Sequence, residues 1–81
     1  MNLLKNLAIS DTGFVFNPAT GDSFSVNPIG LDTLKHLKDG KSENEIRKHL
    51  LESYQTDKET VEKDLYDFFK MLDQLRLTEH D

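Results

Sequence analysis

A chain of 81 residues that is 36% hydrophobic and 31% charged has material for one small core, so a single domain spanning residues 1–81 is expected. The net charge is −5, and the acidic excess is greatest in residues 41–81, where 7 Lys and Arg stand against 11 Asp and Glu. Such a surface repels phosphate and anionic lipid, which argues against nucleic acid or membrane as main partner, and the absence of cysteine excludes disulfides, thiolate metal sites and cysteine nucleophiles.

The opening "MNLLKNLAIS" is broken by Lys5 and Asn6, so it has no signal-peptide form, and no apolar run is long enough to span a membrane. A soluble, cytoplasmic protein is expected, with fraying at the first few residues and at the closing "TEHD". Up to Val26 the apolar residues form short runs, "LAI", "FVF" and "FSV", rich in aromatic and branched side chains and separated by "SDTG" and "NPATG" turn chemistry. This pattern predicts a three-stranded antiparallel meander.

Helical spacing follows. Leu31, Leu34 and Leu37 share one face, then Ile46, Leu50, Leu51 and Tyr54, then Val61, Leu65, Phe68, Leu72 and Leu75. Asn27 and Pro28 suit the start of the first helix, and Gly40 suits the left-handed residue that ends it. Ser42 with Glu45, and Thr56 with Glu59, have capping-box spacing. The expected fold class is therefore α+β: a three-stranded antiparallel β-meander followed by three α-helices, similar to a winged helix-turn-helix.

The chemistry of catalysis is missing from these motifs. His36, His49 and His80 form no i, i+4 pair and no H-E-x-x-H motif, no serine lies in a nucleophile elbow, and the glycines are too scattered to cradle phosphate. Glu62, Asp64 and Asp67 read as a solvated helix face. The chain is expected not to be an enzyme and to need no cofactor or metal. As a DNA reader it lacks charge: "DKETVEKDLYDFFKMLDQLR" carries 4 basic against 6 acidic residues. What this segment offers is apolar width. At about 100° per residue, Val61, Leu65, Phe68, Leu72 and Leu75 form a stripe flanked by Phe69 and Met71, an arc of roughly 160° where about 100° serves an ordinary surface helix. Something should cover the excess: the first strand, the termini or a second copy.

Within that order of elements, Val15 to Pro18, Val26-Asn27, Leu34, Leu37, Asp39-Gly40, Ile46, Leu50, Tyr54, Val61, Asp64-Leu65, Phe68, Leu72, Leu75 and Leu77 resemble the PqqD family over about residues 7 to 77. These proteins are peptide chaperones in the biosynthesis of ribosomally made, post-translationally modified peptides. Two departures stand out: Gly30 replaces the family's more usual Ala, and "LRL" closes the chain where a Gly-containing ending is common.

The resemblance implies that the leader segment of a precursor peptide adds as a strand to the third strand, in the groove between it and the third helix. Carried onto this chain, the edge is Asp22, Ser23, Phe24, Ser25 and Val26, with Phe24 and Val26 facing the helices. The wall comes from Val61, Leu65, Phe69 and Leu72, with Phe69 singled out for its place at the stripe's margin. Glu62 and Asp73 near Phe69 make an acidic groove margin suited to a basic leader. The resemblance further implies a radical S-adenosylmethionine enzyme as second partner. A homodimer through the open strand, and a winged-helix DNA-binding regulator, stay open as alternatives.

Overall fold

A computed structural model describes residues 2–79, with five strands and three helices. The strands are β1 (Asn2–Leu3), β2 (Ala8–Ile9), β3 (Phe14–Asn17), β4 (Asp22–Ser25) and β5 (Thr78–Glu79). The helices are α1 (Pro28–Lys38), α2 (Glu43–Ser53) and α3 (Lys58–Gln74). β2, β3 and β4 form the expected antiparallel meander, with Val15 opposite both Ile9 and Phe24.

Turn chemistry sets this register. In the β3–β4 hairpin, Asn17 is buried; its side-chain oxygen accepts from the Ala19 N–H, and its carbonyl accepts from the Gly21 N–H at 2.8 Å. Gly21 takes φ +80°. Gly13, ahead of β3, has φ +90°, and its carbonyl accepts the Val26 N–H at 2.8 Å. A Cβ there would lie 2.6 Å from the Val26 carbonyl oxygen, so only glycine lets the two backbones meet.

The helix starts follow their caps, with one correction. Asn27 accepts from the Gly30 N–H, and the Ser42–Glu45 capping box is complete. α3 begins one residue later than the Thr56–Glu59 box requires: Asp57 is the cap and accepts from the Thr60 N–H at 2.7 Å. A carboxylate beside the helix N-terminus gains more from the exposed N–H groups than a hydroxyl does. These hydrogen bonds hold the Glu45 carboxyl, bonded chiefly to the Ser42 backbone, and the Asp57 carboxyl, bonded chiefly to the Thr60 backbone, below their ordinary values. A carboxyl depressed in the folded state contributes stability above its unfolded pKa of about 4, and that contribution disappears as pH falls through the lower folded value. Thermal melting should hardly change from pH 7 to about 5 and should fall below about 4, with a shallower fall in an Asp57→Asn, Glu45→Gln double variant.

α1 and α3 both end in a Schellman motif. For α1, the Lys41 N–H donates to the His36 carbonyl and the Gly40 N–H to that of Leu37, with Gly40 at φ +82°. For α3, the Leu77 N–H donates to the Leu72 carbonyl and the Arg76 N–H to that of Asp73. Here the left-handed residue is Arg76, at φ 57°. A side chain in that conformation costs about 1 kcal/mol. Arg76→Gly should therefore stabilise the fold by about 0.5–1 kcal/mol, read as a higher Tm or denaturation midpoint.

Among the described residues the ends are paired where fraying is expected. β1 and β5 pair antiparallel, Asn2 opposite Glu79 and Leu3 opposite Thr78, and the Leu4 N–H donates to the Leu77 carbonyl. The reason is apolar anchorage: Leu3, Leu7 and Leu77 are buried in the same core as Val15, Leu34, Ile46 and Leu72. Of "TEHD", His80 and Asp81 lie outside the described residues.

α1 and α2 are also joined by a polar clip. The Asp32 carboxylate lies 2.8 Å from His49 Nε2 and accepts from the Tyr54 hydroxyl at 3.2 Å. Burial raises the Asp32 carboxyl, but the His49 hydrogen bond and charge, the Tyr54 hydroxyl and the His36 charge together outweigh it and hold it below its ordinary value.

Candidate functional site

β4 is the last strand of its sheet, with β3 on one side and no strand on the other among the described residues. In an antiparallel ladder, alternate residues turn their N–H and C=O toward the same neighbour. Because the Val26 N–H bonds to Gly13 on the β3 side, the backbone groups of Phe24 also point to β3, opposite Val15. Those of Ser23 and Ser25 therefore point to the open edge. Their side chains are exposed, whereas Phe24 and Val26 are half-buried against the core, as their alternation requires. Asp22, at the start of the strand, is exposed and is the only charge on it.

Beside the end of this edge lies an open cavity of about 350 Å³. Asn27, Ile29, Gly30 and Thr33 supply one side, Asp64, Leu65, Asp67, Phe68 and Met71 of α3 supply the other, and Leu50 of α2 completes the lining. Gly30 is the point of closest approach in the site. A Cβ on it would come within 3.1 Å of Val26 Cβ and 3.2 Å of Phe68 Cε1, so the strand end, α1 and α3 close on one another over a missing side chain. The lining carries two carboxylates and no cation.

The wall residues expected from the sequence are divided by this arrangement. Leu65 lines the cavity, while Val61 and Leu72 are buried in the core. Phe69, expected at the margin of the stripe, is only 8% exposed. Its accessible rim faces a different depression, between α2 and α3, with Arg47, Glu62, Tyr66, Lys70 and Asp73. Glu62 and Asp73 thus border that depression, and Glu62 lies 3.7 Å from Arg47. The stripe is as wide as its sequence indicates, but its buried centre is Val61, Leu65, Phe69 and Leu72, one step round the helix. The surplus flank is consequently the one with Asp64, Phe68 and Met71, and Leu75 beyond them is 49% exposed. The sequence marks Met71 as a flank, while Phe68 is hidden by its place in the middle of the stripe. The acids at this margin are Asp64 and Asp67.

Solved structures of the same fold carry peptides. TbiB1 in complex with the TbiA(beta) leader peptide matches with TM-score 0.88 and 28% identity, covering 100% of this chain and 98% of that one. A lasso peptide synthetase B1 complexed with the leader peptide matches with TM-score 0.83 and 17% identity, covering 98% of this chain and 96% of the other, a likeness of fold. No curated protein sequence matches the chain. The family described as coenzyme PQQ synthesis protein D (PqqD) matches residues 13–77, from the glycine ahead of β3 to the leucine that closes the Schellman motif of α3. With β3, the open β4 edge and the three helices all inside that span, the chain belongs to the PqqD family.

Proposed function

We propose that this protein is a non-catalytic peptide chaperone, which binds the leader segment of a ribosomally made precursor as an additional strand on β4 and presents it to a modifying enzyme. The observation that carries this reading is the unpaired β4 edge ending beside the cavity at Phe68. The leader peptides named in both similar structures support it. Backbone groups of Ser23 and Ser25 supply the ladder, within an edge running from Asp22 through Phe24 to Val26. Leu65, Phe68 and Met71 form the apolar wall. Val61, Leu72 and Phe69 support that wall from the core. The modifying enzyme is the radical S-adenosylmethionine partner that the family resemblance implies, and co-purification of the two proteins with and without the leader tests that pairing.

The direct test uses leader peptides of precursors encoded near this gene. Adding the cognate leader should shift the amide resonances of residues 22–30 and 64–71 and leave those of residues 43–48 in place. Shifts centred on α2 would overturn the model of strand addition. Asp64 and Asp67 give the binding a sign: a leader with Lys or Arg beside its apolar anchor should bind less tightly as salt rises, whereas equal affinity at 50 mM and 500 mM salt, roughly a threefold change in Debye length, would exclude that complementarity.

A further inference from the structure

Asp32 and His36 are one helical turn apart on α1, and His49 comes from α2 to meet them. His49 Nε2 lies 2.8 Å from Asp32 Oδ2, and His36 Nδ1 lies 3.1 Å from Asp32 Oδ1. The two imidazoles overlap, with centroids 4.2 Å apart and planes tilted by 33°. One donor atom from each of the three residues falls within 4.8 Å of the other two. We propose that Asp32, His36 and His49 form a binding site for one divalent cation of the zinc class, linking α1 to α2.

The donor set is right for such an ion: two imidazoles and a carboxylate, the nitrogen and oxygen ligands that zinc takes in sites with a position left for water. The spacing is right as well. Bonds of about 2.0–2.1 Å in a tetrahedral shell place ligand atoms about 3.3 Å apart, so the two gaps to Asp32, 2.8 and 3.1 Å, need open by only a few tenths of an ångström, and the imidazole donors start within 4.8 Å of each other. Outer partners already hold two ligands: Ser53 Oγ lies 3.3 Å from His49 Nδ1, and the Tyr54 hydroxyl donates to Asp32 Oδ2. The side chains are a quarter to a third exposed, which leaves the ion a way in. Two hydrogen bonds oppose binding: His36 Nδ1 lies 2.8 Å from the Asp32 carbonyl and His49 Nε2 lies 2.8 Å from the Asp32 carboxylate, and using those nitrogens as ligands replaces both contacts and displaces any proton they carry. None of the three residues lines the cavity beside β4, although their chain neighbours Thr33 and Leu50 do.

The test is a titration of untagged, chelator-treated protein with Zn²⁺ at neutral pH, followed by calorimetry and by the imidazole resonances. One equivalent should bind and shift the ring signals of His36 and His49 while His80 stays in place. A hundredfold excess over Kd should raise Tm by about 10 °C. His36→Ala and His49→Ala should each remove this binding, and Tyr54→Phe should weaken it about tenfold through the outer shell. The ring signals of the unaltered protein make the result independent of whether every variant folds. Absence of stoichiometric binding, or binding that leaves both rings unperturbed, would overturn the proposal and leave the cluster as a hydrogen-bonded clip.

Discussion

Phe68→Ala should weaken leader binding by about 30-fold or more while the protein stays folded, and Phe69→Ala should do the opposite. The two aromatic residues are adjacent, with ring centroids 6.5 Å apart, but they lie on different sides of α3. Phe68 is half-buried beside the Val26 end of β4, so a peptide in the cavity would desolvate the rest of its ring. Aromatic side chains in that position are typical interface hot spots, worth about 2 kcal/mol or more on truncation, which is about 30-fold in Kd. Phe69 is already inside the core, and its removal should cost about 3–5 kcal/mol. A domain of this length has only about 4–12 kcal/mol of stability in total, so the loss will appear as a large drop in Tm. Thermal melts and peptide titrations on the same two variants separate the effects. If the folded fraction of Phe69→Ala lost affinity while Phe68→Ala kept it, the peptide would lie on the α2 side instead.

Ser25→Pro should reduce leader affinity about tenfold or more, whereas Ser25→Ala should leave it unchanged. The contrast isolates the backbone. The Ser25 N–H faces the open edge rather than β3, so proline removes a donor from the visiting strand and none from the existing sheet. The lost hydrogen bond, the leader carbonyl left without a partner and the ring's bulk together exceed about 1.4 kcal/mol, a factor of ten. Alanine keeps the N–H and deletes only an exposed hydroxyl. Equal losses in both variants would mean that the side chain carries recognition and that strand addition is not the mode. Phe24→Pro is the contrasting control, because that N–H belongs to the β3 ladder and its loss should lower Tm.

Most of the fold was legible because local chemistry and apolar period agreed. The meander, the Asn27 and Ser42 caps and the Gly40 terminus all follow from residues close in the chain. The β1–β5 ribbon was not legible: two strands of two residues carry no period, and their pairing rests on contacts between the two ends of the sequence. The third-helix site was half legible. Counting apolar positions gives the width of a face, but the elements packed against it decide which margin remains open, and here Phe69 turns toward α2 and into the core. The meeting of His36 with His49 depends on the crossing of α1 and α2, which neither helix encodes alone.

The ribbon that joins the ends has a consequence for how this domain can be carried. β1 packs beside Leu37 and Lys38 at the C-terminal end of α1, while Ile29 and Gly30 line the cavity at the other, about 12 Å of helix away. Both ends of the described chain therefore leave the molecule together, at a distance from the strand that would receive a peptide. With Asn2 directly opposite Glu79, a short glycine-rich bridge could close the backbone into a ring. For the same reason the unit can be grafted into a surface loop of another protein, entering and leaving at one point, without its binding edge being obstructed by the host.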